Sequence, residues 1–163
     1  MGAGDEHSSE AGDPARLAQE RAARKAVGAI VPEPRVPVLA VDTVVDLEGV
    51  ELGKPADRDH AERMLRQLAG RIHRVHTAHC LRLAATGRVL TRTSHATVWC
   101  GPIDPVGLRR YLDSSQWQGK AGSYGLQDDA QSFFRLVEGS FDTVVGVHVA
   151  AVLAMLEEVG GRA

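Results

Sequence analysis

The sequence is poor in several things, and each shortage removes a class of protein. No apolar run approaches the ~20 residues a membrane helix needs. Met1–Asp13 is small and polar, without the apolar stretch of a signal peptide. There are two cysteines, Cys80 and Cys100, too few for a disulfide framework and without zinc spacing, so they read as buried thiols in a cytoplasmic protein. A formal net charge of −2 gives no general field for polyanions, which argues against nucleic acid as a partner. No internal repeat is present, and the Gly-Lys-Ser/Thr order of a P-loop is missing. What is present is ordinary for a soluble globular chain: 163 residues, 44% hydrophobic and 25% charged, enough for one domain with a core.

Met1–Asp13 lacks apolar periodicity and reads as a disordered tail, leaving 14–163 as a single domain. Asp13-Pro14 suits an N-cap and first helical position, with a thin Ala-rich helix ending at Gly28. Pro32, Pro34 and Pro37 mark a connection. Val38–Val41 predicts a strand buried on both faces that ends at Asp42, and Val44–Leu52 a strand pair turning at Glu48-Gly49. Ala61, Met64, Leu65 and Leu68 fall on one helical stripe, with Asp57 to cap it and Gly70 to end it. Arg71–Ala85 and Arg88–Cys100 alternate as a long hairpin around Thr86-Gly87. Asp104-Pro105 opens a short helix, Gly119–Gln127 is irregular, Ser132–Val137 is a strand and Val145–Val159 a closing helix. This mixture predicts an α/β fold with a mixed sheet flanked by helices.

Three segments carry residues suited to chemistry. Asp42 stands at a strand end, where α/β sheets bind ligands, although aspartate also starts turns, and Thr43 adds a hydroxyl. Lys54 is pinned between Gly53 and Pro55, which limits its backbone freedom beside a phosphate; a solvated loop lysine looks the same. In Gly119–Gln127, three glycines permit close backbone approach, Lys120 supplies charge, and Gln127 offers a donor and an acceptor to a base edge. His73, His76 and His79 recur at every third position, but on a strand His76 faces away from the other two, so they read as exposed histidines beside Arg71 and Arg74. Trp99 and Trp117 suit packing better than base stacking.

Taken together, "AVDTVVDLEGVELGKP", "AERMLRQLAGRIHRVHT", "GKAGSYGLQ" and "EGSFDTVVGV" occur in one order and spacing that closely resembles the Maf family, over roughly residues 14 to 158. "ARKA" at Ala23–Ala26 resembles that family's helix with a phosphate-side lysine, here Lys25. The resemblance implies a mixed α/β structure with an open nucleotide cleft. It implies hydrolysis of a nucleoside triphosphate to a monophosphate and pyrophosphate, assisted by a divalent cation (magnesium or manganese). Asp42 would be the general base and a metal ligand. Lys25, Lys54 and Lys120 would neutralise phosphates, and Thr43 and Gln127 would help select the base. "YGLQ" resembles the branch acting on dTTP and UTP more than the 7-methyl-GTP branch.

The sequence departs from that pattern in two places. The family's opening strand and Ser-x-Ser-Pro-Arg-Arg loop have no match: Ser8-Ser9 is followed by Glu10. The acidic residue usual before the "KA" lysine is Arg24. Two expectations follow from the first departure. One is a competing reading as a catalytically weak nucleotide-binding paralogue, with a purely structural interaction domain as a further alternative. The other is an unpaired sheet edge at Val38–Val41 or a neighbouring strand, which would lower stability or invite self-association, as by strand donation across a homodimer.

Overall fold

The computed structural model describes residues 13–33 and 35–160. All of the tail expected over 1–13 except Asp13 lies outside the described residues. Asp13 caps helix α1 (Pro14–Gly28), its carboxylate accepting from the Ala15 amide at 3.0 Å, and Pro14 opens the helix. At the other end the Arg82 guanidinium donates to the carbonyls of Ala26 (2.7 Å) and Ala29 (2.8 Å), satisfying groups a helix end leaves open.

Strand β1 (Pro37–Leu47) turns at Glu48-Gly49 into β2 (Val50–Leu52). Both turn residues have positive φ (55° and 84°), the geometry that lets two strands reverse without splaying, and Asp46 Oδ1 accepts from the Gly49 amide at 2.7 Å. Helix α2 (Arg58–Leu68) is capped by Asp57, which accepts from His60 N at 2.7 Å. The long hairpin is β3 (Ile72–Leu83) and β4 (Val89–Cys100), then come α3 (Pro105–Asp113), β5 (Phe134–Glu138), α4 (Phe141–Val145) and α5 (Val149–Gly160). Among the described residues no helix is long and apolar enough to cross a membrane.

The five strands form one sheet in the order β2-β1-β3-β4-β5. The α/β class expected from the sequence holds, but the sheet is not mixed: every described pair is antiparallel. The reason is an interposed strand. β2 and β3 run the same way and α2 joins them, yet β1 lies between them, so their parallel relation is never hydrogen-bonded. β1 also differs from expectation. It runs through Asp42 without a break, and Val38–Val41 is half-buried or exposed, Leu39 most of all. Only Val45–Leu47 of β1 pairs with β2, so no strand among the described residues pairs with that side over Pro37–Val44. The closing helix breaks at Gly146 (φ 124°) into α4 and α5.

Strand alternation gives the sheet two unlike faces. Val45, Leu47, Val75, Val98 and Cys100 point to one, where Leu65, Leu68, Leu108, Tyr111, Leu112 and Trp117 fill the main core. Val44, Ala78 and Cys80 point to the other, where α1 lies on them through Ala18, Ala22 and Ala26. The histidines expected to be exposed are buried: His73, His76 and His79 keep 2%, 6% and 0% of their surface. They sit in an inner strand, paired on both edges, and each ring is covered by a polar neighbour: His73 by Tyr124, His76 by Asp46 and His95, and His79 by the His148 amide.

Candidate active site

One cavity of about 240 Å³ is lined by Lys25, Asp42, Thr43, Lys54, Lys120 and Gln127. These are all six residues singled out from the sequence, contributed by four separate stretches of chain. The cavity lies along the open side of β1, which explains how Asp42 and Thr43, on opposite faces of the strand, both reach it. Its far wall is Val144, Val145 and Gly146, from the segment around α4.

Asp42 is held by α1. Lys25 Nζ donates to Asp42 Oδ1 at 2.5 Å and to the Val41 carbonyl at 3.0 Å. Asp42 Oδ2 is buried and, among the described residues, has no hydrogen-bond partner, so one carboxylate oxygen is left for a water or a cation. Thr43 is fixed from below. Thr77 Oγ1 donates to the Thr143 carbonyl at 2.7 Å, and Thr43 Oγ1 lies 2.9 Å from Thr77 Oγ1. Thr77 has spent its one proton, so Thr43 must donate to it. The Thr43 hydroxyl therefore offers the cavity lone pairs and no proton.

The loop bearing Lys120 and Gln127 is tied to the loop bearing Lys54, since Gly122 N donates to the Gly53 carbonyl at 3.0 Å. Gly122 has φ +67°, and a Cβ there would lie 3.1 Å from the Val45 side chain, so the backbone rests directly on β1. Tyr124 anchors the same loop in the core, stacked on Phe134 at 3.8 Å and 2.6 Å from His73 Nε2. Burial pushes His73 down to about 4 and the Tyr124 phenol well up, so both are neutral partners at pH 7. Gln127 is exposed and folds over Gly125, where a Cβ would come within 2.8 Å of its Oε1.

The three lysines differ. Lys25 and Lys120 each hold a carboxylate, whereas Lys54 is exposed and, among the described residues, makes no salt bridge. The partner of Lys120 is Asp128, a residue the sequence reading passed over. Its side chain is buried, accepting also from Ala130 N at 2.8 Å and from the Tyr111 hydroxyl at 3.3 Å. Burial, then the nearby Asp128, pushes the Tyr111 phenol up. A carboxylate directly after Gln127 and eight residues from Lys120 was the available signal. Thr77 and the Val144–Gly146 wall were also missed, although both lie in fragments that carried the resemblance.

Among the described residues no three His, Cys, Asp or Glu side chains converge as a metal cage. The free Asp42 Oδ2 still suits magnesium or manganese, hard cations that take one or two carboxylates and complete their shell with water and phosphate oxygens.

Comparison with known proteins places the chain in one family. The family model described as Maf-like protein matches residues 3–159. The dTTP/UTP pyrophosphatase of Bordetella pertussis is 42% identical over 127 residues, covering 78% of this chain and 60% of the relative. That of Latilactobacillus sakei is 35% identical over 153 residues, 94% of this chain and 83% of the relative. That of Thermus thermophilus is 42% identical over 125 residues, 77% and 66%. The chain thus spans about 60% of the length of the Bordetella relative.

Proposed function

The chain belongs to the Maf family, and from that premise we propose that it is a nucleoside triphosphate pyrophosphatase, acting on dTTP and UTP with a divalent cation. The observation that carries this reading is the meeting of Asp42, three lysines, Thr43 and Gln127 around one cavity.

In this mechanism the triphosphate lies against Lys25, Lys54 and Lys120, whose charges offset its own. Phosphoryl transfer depends mainly on such neutralisation and on alignment. Asp42 takes a proton from water as the water's oxygen bonds to phosphorus. The bond between the α- and β-phosphates breaks, and pyrophosphate carries away its electron pair. Lys25 orients the Asp42 carboxylate through Oδ1 and leaves Oδ2 for that water. Magnesium or manganese would be held by Asp42 and would supply further charge neutralisation. Lys120 must exchange Asp128 for a phosphate, which weakens its contribution relative to the exposed Lys54.

Base selection follows from the Thr43 hydrogen bonds. Uracil and thymine carry a donor at N3, where cytosine has only an acceptor. A hydroxyl with its proton committed to Thr77 favours the donor. Gln127 supplies a further donor and acceptor at the mouth. The same reading puts the protein in the cytoplasm with the nucleotide pool, without a nucleic-acid partner, and gives the unpaired edge at Val38–Val41, ahead of the cleft, a second copy as partner in a homodimer.

The test is titration with dTTP, UTP, CTP and purine triphosphates, following binding and pyrophosphate release with magnesium or manganese. Tight binding and release with dTTP and UTP is the expected result. Binding without release would favour the weak nucleotide-binding paralogue, and neither would overturn the proposal.

A further inference from the structure

The face of the sheet that carries α1 is covered only in part. Beside α1, where the helix no longer covers the sheet, it exposes a second cluster. His76 of β3 and His95 of β4 are direct cross-strand partners. Their Nδ1 atoms lie 2.7 Å apart, with the rings nearly perpendicular at 82°. His76 Nε2 lies 3.1 Å from Asp46 Oδ2, and the other oxygen of Asp46 is fixed by the Gly49 amide. His76 is almost wholly buried, whereas His95 is exposed. Both line a pocket of about 430 Å³, with Arg74, Thr97 and Glu138.

The hydrogen bonds settle the tautomers. A carboxylate only accepts, so His76 carries its proton on Nε2 and presents a bare Nδ1. The one proton between the two Nδ1 atoms then belongs to His95. A carboxylate behind one imidazole nitrogen, with the other nitrogen bare, is the arrangement that orients a histidine for metal binding.

We propose that His76 and His95 form a two-histidine site for a transition-metal dication of the zinc, copper or nickel class, with Asp46 as the orienting carboxylate. The cation takes the place of the shared proton. His95 moves that proton to Nε2 through water, so both rings stay neutral and charge is conserved. Tetrahedral zinc with Zn–N bonds of about 2.0–2.1 Å needs its nitrogens about 3.3 Å apart, so the rings separate by ~0.6 Å from the 2.7 Å observed. That adjustment falls to His95, the exposed member of the pair. Because no third His, Cys, Asp or Glu converges here among the described residues, water completes the shell, with Glu138 near the mouth.

This site is distinct from the cleft in place and in chemistry. Asp46 and Asp42 are four residues apart on one strand, about 13 Å at the usual rise. Imidazole nitrogen selects zinc, copper and nickel, whereas the carboxylate oxygen of the cleft suits magnesium or manganese. A bound cation would join β3 to β4 directly and β1 through Asp46.

The experiment is a zinc titration of the whole chain in excess magnesium, followed by calorimetry and by the histidine side-chain NMR signals. One equivalent should bind, and the His76 and His95 resonances should shift together. His95→Gln, at an exposed position, should abolish that equivalent. Asp46→Asn should keep the stoichiometry but weaken affinity about 10–100-fold. Undiminished binding in His95→Gln, or no zinc binding by the unmutated chain, would overturn the proposal. His76→Gln, checked for folding by circular dichroism, should behave as His95→Gln.

Discussion

The two faces of the sheet are built on different principles. One is packed by α2, α3 and the Gly119–Gln127 loop with Leu, Tyr, Trp and Phe side chains, and it fixes the loop that carries Lys120 and Gln127. The other is covered by α1 alone, through three alanines on Val44, Ala78 and Cys80, and it carries Lys25 and the Asp42 side chain. Large side chains bury more area and hold more tightly, while alanines let a helix backbone come close and gain little from doing so. The cleft joins the two at the open side of β1. Its base-reading wall thus stands on the firm face and the proposed catalytic carboxylate on the thin one.

The largest effect should come from the thin face. Asp42→Asn removes the proposed base, and general-base catalysis contributes about 10²–10⁴-fold, so pyrophosphate release should nearly vanish while the melting temperature changes little. Equal rates would move the chemistry off this face. Next, Leu65→Ala on the firm face should cost about 2–5 kcal/mol, measured by denaturant unfolding. A smaller cost would mean that this face is not the main core.

The third prediction concerns pH. His73 lies in the firm core with its folded pKa lowered from 6.5 to about 4 by burial, a small part being restored by Asp46. The unfolded chain therefore binds this proton first as pH falls. The stability of keeping His73 neutral is complete above pH 6.5 and is lost progressively down to about 4, about 3 kcal/mol in all. Denaturation midpoints of the unmutated chain and of His73→Gln, taken at several pH values across that window, should show a shallower slope in the variant. Parallel curves would place the proton elsewhere. Smallest is Ala22→Gly in α1, which should cost about 1 kcal/mol from helix propensity. A loss as large as that of Leu65→Ala would erase the contrast between the faces.

Much of this was legible from sequence because it rests on local chemistry. Asp13, Asp57 and Asp104 all cap the helices they precede, and Glu48-Gly49 and Thr86-Gly87 are the turns expected of them. What was not legible depends on neighbours distant in the chain. Whether His73, His76 and His79 are buried depends on partners in β1 and β4 that lie 13 residues (His79–Arg92) to 38 residues (His79–Val41) away, and on the layers packed over the sheet. The antiparallel sheet likewise depends on β1 lying between β2 and β3, which alternation along one strand cannot reveal. In the site, Asp42, Lys54 and Gln127 were visible through the fragments around them, but the capture of Lys120 by Asp128 needed the loop's folded shape.

The alanine seam under α1 has a consequence for motion. Alanine has no rotamers to freeze, so docking this helix costs almost no side-chain entropy, and releasing it returns almost none. Its docked state is therefore held by little apolar area and a few polar ties, chiefly Lys25 to Asp42, Arg21 to Glu51 and Arg82 to the helix end. Segments held this way open locally at free energies well below that of global unfolding. Hydrogen exchange in α1 should accordingly outpace that in β3. Each opening would lift Lys25 from Asp42, so the electrostatic setting of the carboxylate fluctuates with the helix rather than with the core.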